Sequence, residues 1–266
     1  VRMGARTSNI YGAAFLSYCV SAICLWSYLF LYFPLNLLWS PATVYFVLSG
    51  CLQPLMARVL YYIGMTRLGV SRAGPLRGTS PLFALTIAVL FLHERPTLLI
   101  LGGTSLIVAS VWLVSARVKG EKEWKLFDIV FPLGAALVAA VSQNLRRGGL
   151  LIFPDPYVGA AVSTTTSLVI FVVFLLAAGR IRLLVPERQS FPFFGSAALV
   201  SAGAQVLNFM ALSMGEVSVM VPLLDTTPLF TVLFSAIFLR DLEKVTPRIV
   251  LGALLMVSGV IIISSR

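Results

Sequence analysis

Long apolar runs, separated by short polar breaks, dominate this chain. Nine of them follow one another over 266 residues, near 10–33, 41–66, 71–92, 96–116, 127–147, 157–178, 191–213, 217–239 and 246–265. A helix of about 20 residues crosses the hydrocarbon core of a bilayer. Backbone N–H and C=O groups find no water there and must be satisfied within the element, so runs of this length specify helices. The composition agrees: 59% of residues are hydrophobic and 11% charged, against about 45–50% and about 25% in soluble chains. So few charges cannot cover a soluble globule of this size. Soluble enzyme, disordered protein and secreted disulfide scaffold are excluded as the main reading. No stretch between runs is long enough for a soluble domain, so function must lie in the bilayer or in short loops. The chain is read as an integral multi-pass membrane protein.

The net charge of +10 comes from 20 Lys and Arg against 10 Asp and Glu. The basic residues fall mostly between apolar runs, where they orient helices and meet anionic headgroups. Neither a basic stripe nor a folded motif points to nucleic acid. Cys19, Cys24 and Cys51 lie in apolar runs and form no CxxC pair, which favours packing over metal or disulfide roles. No metal site, cofactor fingerprint or catalytic motif stands in context. His93, the single histidine, is beside Glu94 in a tight loop and reads better as a solvated residue than as a pH sensor.

One pattern occurs twice. The first copy runs Gly69-Val70-Ser71-Arg72-Ala73-Gly74-Pro75-Leu76-Arg77-Gly78-Thr79-Ser80-Pro81-Leu82-Phe83. The second, shifted by 147 residues, runs Glu216-Val217-Ser218-Val219-Met220-Val221-Pro222-Leu223-Leu224-Asp225-Thr226-Thr227-Pro228-Leu229-Phe230. Both reach Phe-Leu before a charged turn, at Phe91-Leu92-His93-Glu94 and Phe238-Leu239-Arg240-Asp241. Gly12-Ala13-Ala14 and Gly159-Ala160-Ala161 match at the same shift. Common triplets explain neither the shared register nor both prolines, so the chain is internally duplicated. Four runs precede the polar connection at 118–126 and five follow it. An ancestral unit of five helices fits, with the first helix absent from a chain that begins at Val1. An odd unit inverts its second copy, the architecture of many secondary transporters. The expected domains are a first repeat over 1–117 and a second over 127–266.

At these residues the sequence resembles proteins built from two EamA domains, of the drug/metabolite transporter superfamily. The resemblance rests on Pro75, Pro81-Leu82-Phe83, Phe91-Leu92-His93-Glu94 and Gly102, and on Pro222, Pro228-Leu229-Phe230, Phe238-Leu239-Arg240-Asp241, Gly252 and Gly259. It implies an all-α ten-helix carrier of two inverted five-helix repeats, exporting or exchanging small metabolites by alternating access. The alternative is a non-transporting receptor or assembly scaffold on the same helices. The resemblance also implies a cytoplasmic C-terminus. The basic residues imply the reverse: Arg67, Arg72, Arg117, Lys119, Lys122 and Lys125 crowd one set of alternate loops, and the positive-inside rule places that set in the cytoplasm and Arg266 outside.

Charges within spans are costly and mark candidate sites. Arg58, Arg77 and Asp225 sit well inside their runs. Guanidinium groups and a carboxylate in one polar cavity would suit an anionic or zwitterionic solute, and Asp225 could carry a coupling proton. The competing reading has the arginines snorkelling to headgroups and Asp225 pairing structurally. Gln53, Asn144, Gln205 and Asn208 would line the cavity or bond across helices. Pro75, Pro81, Pro222 and Pro228 would free carbonyls and act as hinges, with Thr79, Ser80, Thr226 and Thr227 as partners for those carbonyls. Tyr61 and Tyr62 read as interface anchors. Ser163-Thr164-Thr165-Thr166-Ser167 is expected to bond its own helix. Ser105 and Ala109, four apart, suggest close helix pairing.

Overall fold

The structure, a computed structural model, describes residues 10–32, 40–68, 70–115, 125–179, 191–226, 230 and 247–265. Among these residues all regular structure is helical. The helices are α1 (Ile10–Tyr32), α2 (Ala42–Cys51), α3 (Ala57–Leu68), α4 (Val70–Arg77), α5 (Ser80–Phe91), α6 (Leu98–Ser115), α7 (Val130–Ile152), α8 (Pro156–Ala177), α9 (Phe191–Met214), α10 (Val217–Leu224) and α11 (Pro247–Ser264). Four helical stretches are long and apolar enough to cross a membrane: Ala14–Tyr32, Ala73–Phe91, Leu126–Ile152 and Pro156–Ala177.

Punctuation in the sequence accounts for most helix ends. Asp155 accepts the Val158 N–H at 2.8 Å and starts α8, with Pro156 in the first turn, where its missing N–H is not needed. Gly179, at φ 65°, ends that helix in the left-handed conformation. At the end of α5 the same conformation falls on His93, at φ 56°, and the Glu94 N–H closes the turn on the Ala88 carbonyl at 3.2 Å.

Two expected spans are broken. The run 41–66 becomes α2 and α3, interrupted at Gln53, whose φ of −132° and ψ of 133° are extended. Pro54 follows it, and the ring of a proline drives the preceding residue out of the helical region. The run 71–92 becomes α4 and α5, separated by a turn at Gly78 and Thr79. Pro81 therefore lies in the first turn of α5 and starts a helix rather than bending one.

The chain divides into two compact units, each drawing on both sequence repeats. The first comprises Val1–Leu55 and Leu145–Met214, the second Met56–Asn144 and Gly215–Arg266. In the first unit α1 packs on α9 and α8, and α2 packs on α8. The 147-residue shift carries α1 onto α8 and α2 into α9, so the α1–α9 and α2–α8 pairings are counterparts. Gly50 brings α2 close to α8: a Cβ there would lie 2.5 Å from the Ser163 carbonyl oxygen. Hydroxyls then tie the two helices. Ser49 and Ser163 share a hydrogen bond of 2.8 Å, and each hydroxyl is 2.9 Å from the Phe46 carbonyl. Ser167 Oγ reaches the Gly50 carbonyl at 2.9 Å and the Gln53 carbonyl at 3.3 Å. Pro54 offers no N–H to Gly50 four residues before it, and Ser167 supplies a donor there. Trp26 Nε1 donates to Thr165 Oγ1 at 2.8 Å. The Ser/Thr run thus bonds its neighbours as well as its own helix, because close backbones put foreign carbonyls within reach.

In the second unit α6 and α11 form the most extensive pairing. The contact is apolar: Ile107 and Ile263 are fully buried with Ile100 and join Leu85 and Val219 in one core. Gly103 and Gly259 face each other, and a Cβ on either would lie 2.8 or 2.7 Å from the other's carbonyl oxygen. Small residues let backbones approach in this way. Ser105 and Ala109 are not at this contact; they line an open apolar groove with Leu82, Val108, Trp112 and Leu113. At the start of α7, Asp128 accepts the Lys125 N–H at 3.0 Å and pairs with Arg67 at 3.0 Å. Arg67 also lies 4.7 Å from the Phe131 ring centre.

Candidate functional site

In the second unit the two repeats each contribute a half-helix, α4 and α10, with Pro75 and Pro222 inside them. Both prolines are buried. Both half-helices end in a turn closed the same way. Thr79 Oγ1 donates to the Leu76 carbonyl and Thr226 Oγ1 to the Leu223 carbonyl, each at 2.7 Å. These are matched residues of the repeat, so the duplication holds to the level of single hydrogen bonds. Pro228 and the rest of the run 217–239 beyond Thr226, Phe230 excepted, lie outside the described residues.

Arg77 is the last residue of α4 and Asp225 caps the C-terminus of α10. Both are half-buried. A cation suits the negative end of a helix dipole, and a carboxylate opposes it. The Asp225 carboxylate therefore stands where a negative charge is disfavoured. Tyr61, expected as an interface anchor, is half-buried on α3. Arg58 is exposed on α3. At the other end of α10, Glu94 accepts the Val217 N–H at 2.8 Å and the Ser218 N–H at 2.9 Å, one on each carboxylate oxygen. The acidic residue of the Phe-Leu-His-Glu motif thus holds the N-terminus of a half-helix from the other repeat. Asn144 donates to the Ala84 carbonyl at 3.1 Å and the Ala140 carbonyl at 2.9 Å.

In the first unit the sequence reading overlooks the main charge. Runs end at charges by convention, so Arg146 and Arg147 read as a span end. Instead α7 continues five residues past Arg147, to Ile152. Arg146 is 3% exposed, and its Nη1 donates to Asn208 Oδ1 at 3.0 Å. The signal for a longer helix is the Gly148-Gly149-Leu150-Leu151-Ile152 stretch before Phe153-Pro154-Asp155-Pro156. Asn208 bonds across helices, one of its two expected roles. Gln205, on the same helix, is half-buried. Gln53, at the break between α2 and α3, is half-buried with its Oε1 inaccessible to solvent.

Among curated proteins, none matches the chain. A protein of known crystal structure superposes on it with a TM-score of 0.77, covering 98% of this chain and 90% of the other at 12% identity. At that identity the likeness shows the fold alone. The sequence profile of the EamA-like transporter family matches twice, over residues 1–116 and 127–265. With two matched repeats, an all-helical fold and apolar membrane-length helices, the chain belongs to the EamA-like transporter family of the drug/metabolite transporter superfamily and is an integral membrane protein.

Proposed function

We propose that this chain is a secondary carrier of a prokaryotic plasma membrane. It moves a small metabolite or drug-like solute, anionic or zwitterionic, by alternating access. Its repeats are inverted, each repeat is one domain of the carrier, and its work is transport rather than catalysis. One observation supports the reading beyond family membership: Arg77 and Asp225 stand at the C-terminal ends of two half-helices drawn from the two repeats, each with a buried proline inside it. Discontinuous helices of this kind build solute and ion sites in transporters.

In this reading Asp225 competes with the solute for Arg77. When Asp225 takes a proton it releases the guanidinium, which then grips the solute's carboxylate. Proton and solute load together. Pro75 and Pro222 let the half-helices tilt between states, and Arg58 attracts solute from an exposed position.

The test is uptake into liposomes across a panel of organic acids and amino acids, with and without an imposed pH gradient. Arg77→Ala is expected to lower uptake at least tenfold, an order of magnitude set by loss of a charge-assisted contact. Asp225→Asn is expected to keep solute exchange and lose its response to the gradient. Unchanged transport in both variants would sink the site assignment.

A further inference from the structure

The half-helix α10 is weak by itself. It has eight residues, and a helix that short is marginal without outside support. Pro222 inside it offers no N–H to the Ser218 carbonyl four residues before. Its own N-cap residue, Glu216, makes no side-chain capping bond. The first two N–H groups are held instead from another element and the other repeat, by the two carboxylate oxygens of Glu94 at 2.8 and 2.9 Å. Charge-assisted bonds are roughly twice as strong as neutral ones, and the carboxylate faces the positive end of the helix dipole.

The turn that carries Glu94 is strained. His93, at φ 56°, is the one non-glycine residue with positive φ among the described residues, and side chains disfavour that region. The His93 side chain is exposed, so the conformation serves the course of the backbone. It turns the chain at the end of α5, where the Glu94 N–H meets the Ala88 carbonyl at 3.2 Å, and directs Glu94 to α10. The rest of the α5–α10 contact is apolar, with Leu85 and Val219 in the core shared with α6 and α11. Apolar attraction is non-directional and tolerates sliding; the Glu94 bonds do not. Irregular backbone at Gly215-Glu216 and at Asp225-Thr226 bounds α10 on both sides, as the ends of a moving segment require.

We propose that Glu94 is a latch. Its two bonds close the α5–α10 seam at this end of the second unit, and α10 must leave Glu94 for the carrier to change state. The inference rests on the carrier reading and makes Glu94 a positioning residue, without contact to solute.

The seam is reported by Val219, 4% exposed and close after the tie. Val219→Cys is placed in the full chain carrying Cys19→Ser, Cys24→Ser and Cys51→Ser, in lipid nanodiscs, and its reaction with a water-soluble maleimide is timed. Met256→Cys, equally buried on α11 and outside that core, is the control. Glu94→Gln should speed labelling of Val219→Cys at least about tenfold, the order set by weakening one bond to a charged group, and leave Met256→Cys unchanged. Glu94→Asp, still charged but shorter, should fall between. His93→Val should act like Glu94→Gln, because a β-branched residue resists that φ, and His93→Gly like the unaltered chain. No change in labelling, or an equal rise at both cysteines, overturns the proposal. Should Glu94→Gln not fold, an unaltered rate in Glu94→Asp overturns it. A second arm joins Glu94→Cys to Ser218→Cys with a reducible bifunctional thiol reagent. Uptake of the organic acids or amino acids carried by the unjoined form should stop, and return with reductant; uptake that persists through complete joining overturns the latch. A chain that takes up nothing in any form defeats the carrier reading, and the labelling arm still decides whether Glu94 closes the seam.

Discussion

The α2–α8 contact of the first unit and the α6–α11 contact of the second both rely on glycine for close approach, and they are fastened by different means. Ser49, Ser163 and Ser167 carry hydrogen bonds across the first. In the second, two α6 hydroxyls turn inward: Ser105 donates to Leu101 and Ser110 to Ile107, both on their own helix. The difference follows from the backbone. α2 runs into a break at Gln53-Pro54, where a donor is missing, and a partner helix must provide it. α6 and α11 are unbroken, so their carbonyls are paired internally and dispersion between close backbones suffices. The Ser167 tie marks a place where a helix is incomplete. In the second unit Glu94 on α10 and Arg67 on Asp128 tie helix ends, while Asn144 reaches the Ala84 carbonyl inside α5.

The strongest challenge to this contrast is Gly259→Val. Its Cβ would meet the Gly103 carbonyl oxygen at 2.7 Å and Ile107 at 2.8 Å, and no flexible side chain is available to give way on the Gly103 side. A loss of about 3 kcal/mol is expected, at the upper end for overpacking, read by SDS or thermal unfolding in detergent. A neutral result would mean the α6–α11 packing is loose. Glu94→Ala comes next. It strips the partner from two N–H groups at the head of α10 and should cost about 1–2 kcal/mol, the range for a lost helix cap. Amide exchange at Val217 and Ser218 should quicken; unchanged exchange would show that the end of α10 does not need the tie. Ser167→Ala is the mildest, at about 0.6–1.7 kcal/mol for an interhelical hydrogen bond in a membrane. Its sharper signature is local, with faster exchange around the Gln53 break and none in α6. A uniform loss across both units would erase the distinction.

Much of this was legible in the sequence. Apolar runs gave the spans, and the 147-residue shift pairs Thr79 with Thr226, although each donates to the carbonyl three residues before it, Leu76 or Leu223, rather than to one freed by a proline. What escaped notice shares a physical cause. Hydropathy reads a run as continuous if its residues are apolar, and Pro54 interrupts hydrogen bonding without interrupting hydropathy. The residue before a proline leans away from the helical region, and that was the overlooked signal at Gln53. Arg146 escaped for the opposite reason: its charge ended a run that the backbone did not end. Arg77 and Asp225 were visible because neither lies near a run's edge.

Glu94 belongs to the first repeat and holds a helix of the second. The α1–α9, α2–α8 and α6–α11 pairings likewise each join one repeat to the other. A chain carrying a single repeat would have none of these contacts within itself. An ancestor with only one would have been an obligate pair of chains, each lending its acidic residue to its companion. Fusion into one gene would then have removed the concentration dependence of assembly and freed the two halves to diverge, as Arg77 and Asp225 have done at neighbouring positions of the shared pattern.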